Sequence, residues 1–318
     1  MTMIGYALSA EEHHPNDLVR YARMAEDAGF EFVSISDHYH PWISFTGHSP
    51  FVWSVLGGIA QATEGIMVGT GVTCPTVRIH PAVIAQAAAT AGAMMEGRFF
   101  LGLGTGEALN EHILGDPWPP AALRLDMLEE AVEIIRLLWE GNEASYWGEF
   151  YTVENARIYT LPEQLPPIFV AASGEKTAAM AGVLSDGLIC TSPDEELIRA
   201  FTENGGKGKP VVGKITMCWA ETEEEALDTA FQWWPTTLVP GALKADLPTP
   251  DHFEQVIKLL KKEDIRGEFP MGPDPGPYLE AFEEYRRAGF THIYFHQVGR
   301  QQEEAVRFLV DHVMEKAR

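Results

Sequence analysis

The chain has 318 residues, 46% apolar and 22% charged, and its 46 Asp and Glu outnumber 23 Lys and Arg for a net charge of −23. That size and apolar content suit a globular protein with a large core, on the scale of one α/β barrel with insertions. No run of Lys or Arg offsets the acidity, so binding to nucleic acid or to an anionic membrane surface is not expected.

Short β-branched runs alternate with amphipathic ones along the whole chain. Met3 to Leu8 is the first predicted strand. Pro15 to Ala28 sets Leu18, Tyr21, Ala22, Ala25 and Ala28 on one helical face, and Gly29 ends it. Phe32 to Ser36 is the second strand, Phe51 to Ala62 a helix, Ile66 to Cys74 the third strand, Ala82 to Met95 a small-residue helix and Phe99 to Leu103 the fourth strand. Asp126 to Trp139 is a helix with Leu128, Ala131, Ile134, Ile135 and Leu138 on one side. A polar and aromatic excursion over 144–166 precedes the fifth strand, Ile168 to Ala172. Ala178 to Leu184 (helix), Leu188 to Thr191 (sixth strand), Val211 to Ala220 (seventh strand) and Thr222 to Trp234 (helix) follow. A proline-rich insertion at 235–277 holds one predicted helix, His252 to Lys262. Pro277 to Ala288 (helix), His292 to His296 (eighth strand) and Glu303 to Val313 (helix) complete the pattern. Eight strands alternating with helices and no break between them predict a single (β/α)8 TIM barrel over 1–318; a doubly wound sheet would use five or six strands.

Cys74, Cys190 and Cys218 lie singly in apolar stretches without C-x-x-C spacing, which predicts free buried thiols in a reducing cytoplasm. No apolar run approaches the ~18 residues needed to span a bilayer, and the N-terminus lacks a signal-peptide pattern.

Barrel active sites are assembled from loops at the carboxyl ends of strands. This places Asp37, His38 and Trp42 of the segment S-D-H-Y-H-P-W at one mouth with Gly71, Val72 and Thr73, and with Glu107 and Asn110 of G-L-G-T-G-E-A-L-N. Ser173, Gly174, Thr191 and His296 belong to the same rim. Taken alone, Asp37 reads as a helix cap and His38 as a core imidazole; together with Trp42 and Glu107 they suit proton abstraction from a hydroxyl. Histidine is the natural base because its unperturbed pKa, ~6.5, lies near working pH. The glycine run is an incomplete nucleotide motif, so its glycines more simply allow backbone to approach a planar cofactor. His38-x-His40 has metal-ligand spacing, but no histidine falls in the fourth to seventh strands, and no metal is expected.

At these residues the chain resembles the luciferase-like superfamily and, within it, the F420-dependent glucose-6-phosphate dehydrogenase family. The segments that carry the resemblance are S-D-H-Y-H-P-W at Ser36, H-P-A-V-I-A-Q-A at His80, F-L-G-L-G-T-G-E-A-L-N-E at Phe100, A-A-S-G at Ala171 and I-C-T-S at Ile189. The resemblance implies hydride transfer from the anomeric C1 of a sugar to coenzyme F420. It implies that His38 takes the hydroxyl proton, Trp42 packs on the reacting centre and Glu107 supplies a proton to the reduced cofactor. Asp37, Gly71, Val72, Thr73, Gly106, Asn110, Ala171, Ala172, Ser173 and Gly174 match the cofactor side, with a cis Gly71–Val72 bond and with amides of 172–174 holding phosphate. Glu11, Thr191, Asp194, Lys244 and Glu268 match substrate-side positions. Family members that use glucose-6-phosphate carry a lysine near Asp194 and an arginine near Glu268, whereas Lys244 is preserved. Non-phosphorylated sugars or a simple secondary alcohol are therefore expected ahead of glucose-6-phosphate. A homodimer is expected. The alternatives are an FMN-dependent luciferase-like monooxygenase and a catalytically silent deazaflavin carrier.

Overall fold

The computed structural model describes residues 2–317. Its chain order is β1 (Met3–Leu8), α1 (Pro15–Asp27), β2 (Phe32–Ile35), α2 (Val52–Ala62), β3 (Met67–Thr70), α3 (Pro81–Met94), β4 (Phe99–Leu103), α4 (Ala108–Glu111) and α5 (Ala121–Leu138). Then come β5 (Ala144–Trp147), β6 (Thr152–Ala156), β7 (Ile168–Ala171), α6 (Glu175–Leu184), β8 (Gly187–Cys190), α7 (Glu195–Phe201) and β9 (Val211–Met217). The last part runs α8 (Glu223–Trp233), α9 (Gly241–Asp246), α10 (Pro250–Ile257), α11 (Gly276–Ala288), β10 (His292–Gln297) and α12 (Gln302–Leu309).

Eight strands close into a parallel barrel in the order β1-β10-β9-β8-β7-β4-β3-β2. Strands covered by helices outside and filled inside are apolar on both faces, which is why they read as continuous β-branched runs rather than as alternation. The inside is packed by Ala7, Phe32, Phe100, Phe169, Ile189, Val212 and Tyr294, with Phe100 stacked on Phe169 at 5.1 Å. Gly69 admits the Phe100 ring, since a Cβ there would lie 2.1 Å from it. The outward faces meet the helices through Leu18, Ala22, Ile84, Ala88, Ala131 and Ile135, all buried.

The eight barrel strands fall where the sequence places them, and three departures have local causes. The third strand stops at Thr70 rather than Cys74, because Gly71–Val72 is a cis peptide and only a single bridge, Thr73 to Leu103, continues. The 144–166 excursion contains the antiparallel hairpin β5–β6. Glu130 on α5 ties it down by accepting from the amides of Glu149, Phe150 and Tyr151. The Tyr151 hydroxyl donates to the Pro75 and Thr76 carbonyls at 3.1 and 2.8 Å. The 235–277 insertion carries α9 and α10 where one later helix was predicted, and α7 was not predicted at all.

Candidate active site

The carboxyl end of β2 delivers Asp37 and His38, and two imidazole contacts define the state of His38. Its Nδ1 lies 3.2 Å from the His40 carbonyl oxygen. A carbonyl only accepts, so Nδ1 carries a hydrogen, and Nε2 is the ring nitrogen left to exchange a proton. Nε2 faces Glu11 Oε1 at 3.3 Å, with both side chains largely buried. Burial raises the Glu11 pKa, but the His38 charge, the Ser36 hydroxyl and its own backbone amide outweigh it, and the carboxyl ends below its ordinary value. An ionised Glu11 is therefore in place to stabilise the imidazolium formed when Nε2 takes a proton.

Trp42 packs edge-on to His38 with centroids 4.9 Å apart and is backed by Phe253 of α10 at 5.3 Å. Lys244 Nζ of α9 sits 5.6 Å from the Trp42 ring. Burial, then the charge of Lys214, pushes the Lys244 pKa down to about 8 against the pull of Glu107. The insertion thus forms one side of the mouth.

Glu107 opens α4 but caps none of its amides. Its Oε2 instead accepts from Asn110 Nδ2 at 3.3 Å. Asn110 Oδ1 accepts from the amides of Tyr39 and His40 at 2.9 and 3.2 Å, so one side chain registers the Glu107 turn against the His38 loop. Gly106 has φ +75° and a Cβ there would lie 2.5 Å from Cys74 Sγ, so no other residue fits this turn.

Asp37 is placed behind the mouth rather than in it. Its side chain is fully buried, accepting from Thr73 Oγ1 at 2.8 Å and from Arg78 Nη2 at 2.9 Å. Arg78 also meets Glu111: its amide donates to Glu111 Oε2 at 2.7 Å and its Nε to Oε1 at 3.5 Å. Burial pushes the Glu111 pKa up despite Arg78. This buried Asp37–Arg78–Glu111 triad escaped sequence reasoning, because Arg78 and Glu111 look like ordinary loop and helix charges until the fold joins them.

Val72 and Ala171 form an apolar shelf at the mouth over the barrel interior. Gly104 lies under it, where a Cβ would stand 2.7 Å from Val72 Cγ2. The turn from β7 into α6 corrects one expectation: the Ala172 amide donates to the Ile189 carbonyl at 3.0 Å and extends the ladder. Only the turn at Ser173 and Gly174 is left exposed for an anion, beside the exposed Lys176.

A cavity of about 610 Å³ is lined by Thr191, Arg266 and Glu268 among others, with Lys214 of β9 in its wall; His38, Trp42 and Glu107 do not line it. Asp194 is not among the lining residues. It caps α7, accepting from the Glu196 and Leu197 amides at 2.8 and 3.3 Å. Lys214 is the functional candidate that the sequence reading missed. Burial lowers its pKa, more than Glu11, Glu12 and Glu107 raise it. The signal was available: a lysine two residues from Val212 in V-V-G-K-I-T shares its inward face. The metal reading of His38-x-His40 gains nothing here, since His40 Nδ1 faces the Leu109 carbonyl at 2.8 Å. Among the described residues no three His, Cys, Asp or Glu side chains gather as a metal site.

The sequence profile of the luciferase-like monooxygenase family matches residues 1–292. The chain is 36% identical over 326 residues to the F420-dependent glucose-6-phosphate dehydrogenase of Microbacterium testaceum (strain StLB037), covering 99% of this chain and 97% of that protein. It is 38% identical over 319 residues to the protein of that name from Kribbella flavida (strain DSM 17836 / JCM 10339 / NBRC 14399), covering 96% and 94%. A solved F420-dependent secondary alcohol dehydrogenase in complex with an F420-acetone adduct superposes with a TM-score of 0.92 at 27% identity, covering 100% of this chain and 99% of that one. The coenzyme F420-dependent tetrahydromethanopterin reductase of Methanopyrus kandleri, at 21% identity and a TM-score of 0.79, shares the fold. With its barrel, its His38 loop and these near full-length matches, the chain belongs to the luciferase-like superfamily and, within it, to the F420-dependent glucose-6-phosphate dehydrogenase family.

Proposed function

We propose that the protein is an F420-dependent oxidoreductase acting on a CH–OH donor, and that the donor carbon is C1 of a sugar. The observation that carries the chemistry is the His38 geometry: Nδ1 on the His40 carbonyl and Nε2 beside ionised Glu11. The site fits a deazaflavin. The Val72–Ala171 shelf is flat and apolar because Gly104 has no side chain under it, and the exposed Ser173–Gly174 turn at the start of α6 suits a phosphate. Bound F420 supplies a ring that accepts hydride. Gly71, Val72, Thr73, Gly106, Ala171, Ala172, Ser173 and Gly174 would hold it, with Asp37 and Asn110 fixing the loops around it.

His38 Nε2 takes the hydroxyl proton as the carbon gives up hydride, and Glu11 balances the charge left on the ring. Trp42 orients the substrate and excludes water from the reacting carbon. Glu107, with Oε2 tied to Asn110, holds and releases a proton at Oε1. Glu268 stands where the resemblance places an arginine in family members that use glucose-6-phosphate, which supports an uncharged sugar over a sugar phosphate. A simple secondary alcohol is the second reading, supported by the 0.92 TM-score to a protein of that description. Mixing oxidised F420 with glucose-6-phosphate, glucose, other sugars or isopropanol should bleach the deazaflavin absorbance with at least one of them. Absence of F420 binding would sink the reading, and oxygen consumption with reduced FMN would replace it by a monooxygenase.

The chain is read as a homodimer formed through α2 and α3. Phe51, Val83 and Met94 there are 53, 56 and 40% exposed, and they line a groove of about 280 Å³ with Trp53. The Trp53 Nε1–H is buried without an acceptor among the described residues. Light scattering should give twice the 35.2 kDa chain mass, falling to the monomer in Val83→Asp. A monomeric wild type would refute the interface. Three buried, unpaired cysteines support a reducing, cytoplasmic setting. No helix among the described residues is long and apolar enough to cross a membrane.

A further inference from the structure

Glu11 and Glu12 are adjacent in the chain, yet each orients a different imidazole. Glu11 faces His38. Glu12 faces His296 at 2.8 Å from Oε2 to Nε2, and its Oε1 accepts from the Gly299 amide at 2.9 Å. His296 alternates on β10 with Tyr294, whose ring fills the barrel, so its imidazole stands on the same inward face one layer nearer the mouth. It is 3% exposed. The Glu12 carboxyl engages Nε2, which leaves Nδ1 as the ring nitrogen free to meet a hydroxyl. That Nδ1 is buried and has no hydrogen-bond partner among the described residues. Buried polar atoms are ordinarily satisfied, and one without a partner beside a proposed active site points to a ligand.

A donor accompanies this acceptor. In the β9–β10 register Lys214 pairs with Tyr294 and Thr216 with His296. Lys214 Nζ lies 5.6 Å from the Trp234 ring, and the His296 ring packs on the same indole with centroids 4.5 Å apart. No carboxylate comes within ion-pair distance of Lys214 among the described residues.

We propose that His296, oriented by Glu12, and Lys214 form a polyol-recognition wall built around Trp234, separated from the reacting wall of His38 and Trp42 by β1 alone. One hydroxyl of a vicinal diol donates to His296 Nδ1 while its neighbour accepts from Lys214 Nζ. A simple secondary alcohol has only the reacting hydroxyl and cannot use the wall. This assignment rests on the sugar reading above and names the residues that would enforce it.

The test is calorimetric titration of the full-length protein with 1,5-anhydro-D-glucitol, a polyol that lacks the oxidisable C1 hydroxyl, so binding is read without turnover. His296→Gln keeps an amide donor for Glu12 near the Nε2 position but removes Nδ1. Lys214→Met keeps the stem and removes the ammonium. Each is expected to weaken polyol binding about tenfold or more, the usual scale for a lost hydrogen bond to a charged or buried group. F420 titration of the same samples is expected to match wild type, and thermal melting monitors the fold. Equal polyol affinity in wild type and both variants overturns the assignment, as does a wild type that binds no polyol. Failure to bind F420 would bear on the proposed activity instead.

Discussion

His38→Ala is expected to lower kcat by about 10²–10⁴-fold, the range for loss of a positioned general base, while F420 affinity stays within a few-fold of wild type. The expectation follows from atoms. The His40 carbonyl fixes the hydrogen on Nδ1, and Nε2 is the only ring nitrogen left to accept a proton. Glu11 stands 3.3 Å from it and has its pKa lowered partly by that same ring. Removing the imidazole removes the base and leaves Glu11 buried with the Ser9 and Ser36 hydroxyls and its own backbone amide. Steady-state turnover and fluorescence titration of F420 separate the two effects. Turnover within tenfold of wild type would mean that the proton leaves by another group.

Arg78→Met should cost about 3–5 kcal/mol of stability, because it strips the cation from a buried network and leaves two carboxylates without it. Asp37 is fully buried and would keep the Thr73 hydroxyl, and Glu111 would keep only backbone amides, those of residues 77 and 78. Both acids would then face each other across the gap. Urea unfolding should show the loss, and adding Asp37→Asn should recover part of it, since contacting positions do not add independently. A midpoint unchanged by Arg78→Met would mean that the triad is solvated in solution. The site consequence is testable in the same samples: Asp37 precedes His38, so a loosened triad should also weaken F420 binding.

How much of this was legible in the chain differs by residue. S-D-H-Y-H-P-W and G-T-G-E-A-L-N carried their chemistry openly, because strand-end loops keep the reacting side chains close together in sequence. The order of the eight barrel strands followed from apolar runs separated by amphipathic ones, since a strand buried on both faces has no polar option. Asp194 carries two readings at once for a local reason. Its place after I-C-T-S suggested a substrate contact, but followed by Glu195 and Glu196 it also fits a helix cap, and the backbone amides of α7 claim it. Ala172 misled because it closes the fifth predicted strand, so its amide is spent on the ladder to β8.

The sequence alone therefore determined the architecture, the family and the residues that sit within a few positions of one another, because periodicity and local motifs depend on near neighbours. Tertiary structure alone decided which residues from distant strands share a side of the mouth. Glu12 meets His296 across 284 positions, Asp37 meets Arg78 across 41, and Lys214 meets Trp234 against β10. Such pairings are set by barrel closure and strand register. A one-residue shift in the register of β9 or β10 would turn Lys214 or His296 from the barrel interior to the helices, and no local pattern records that choice.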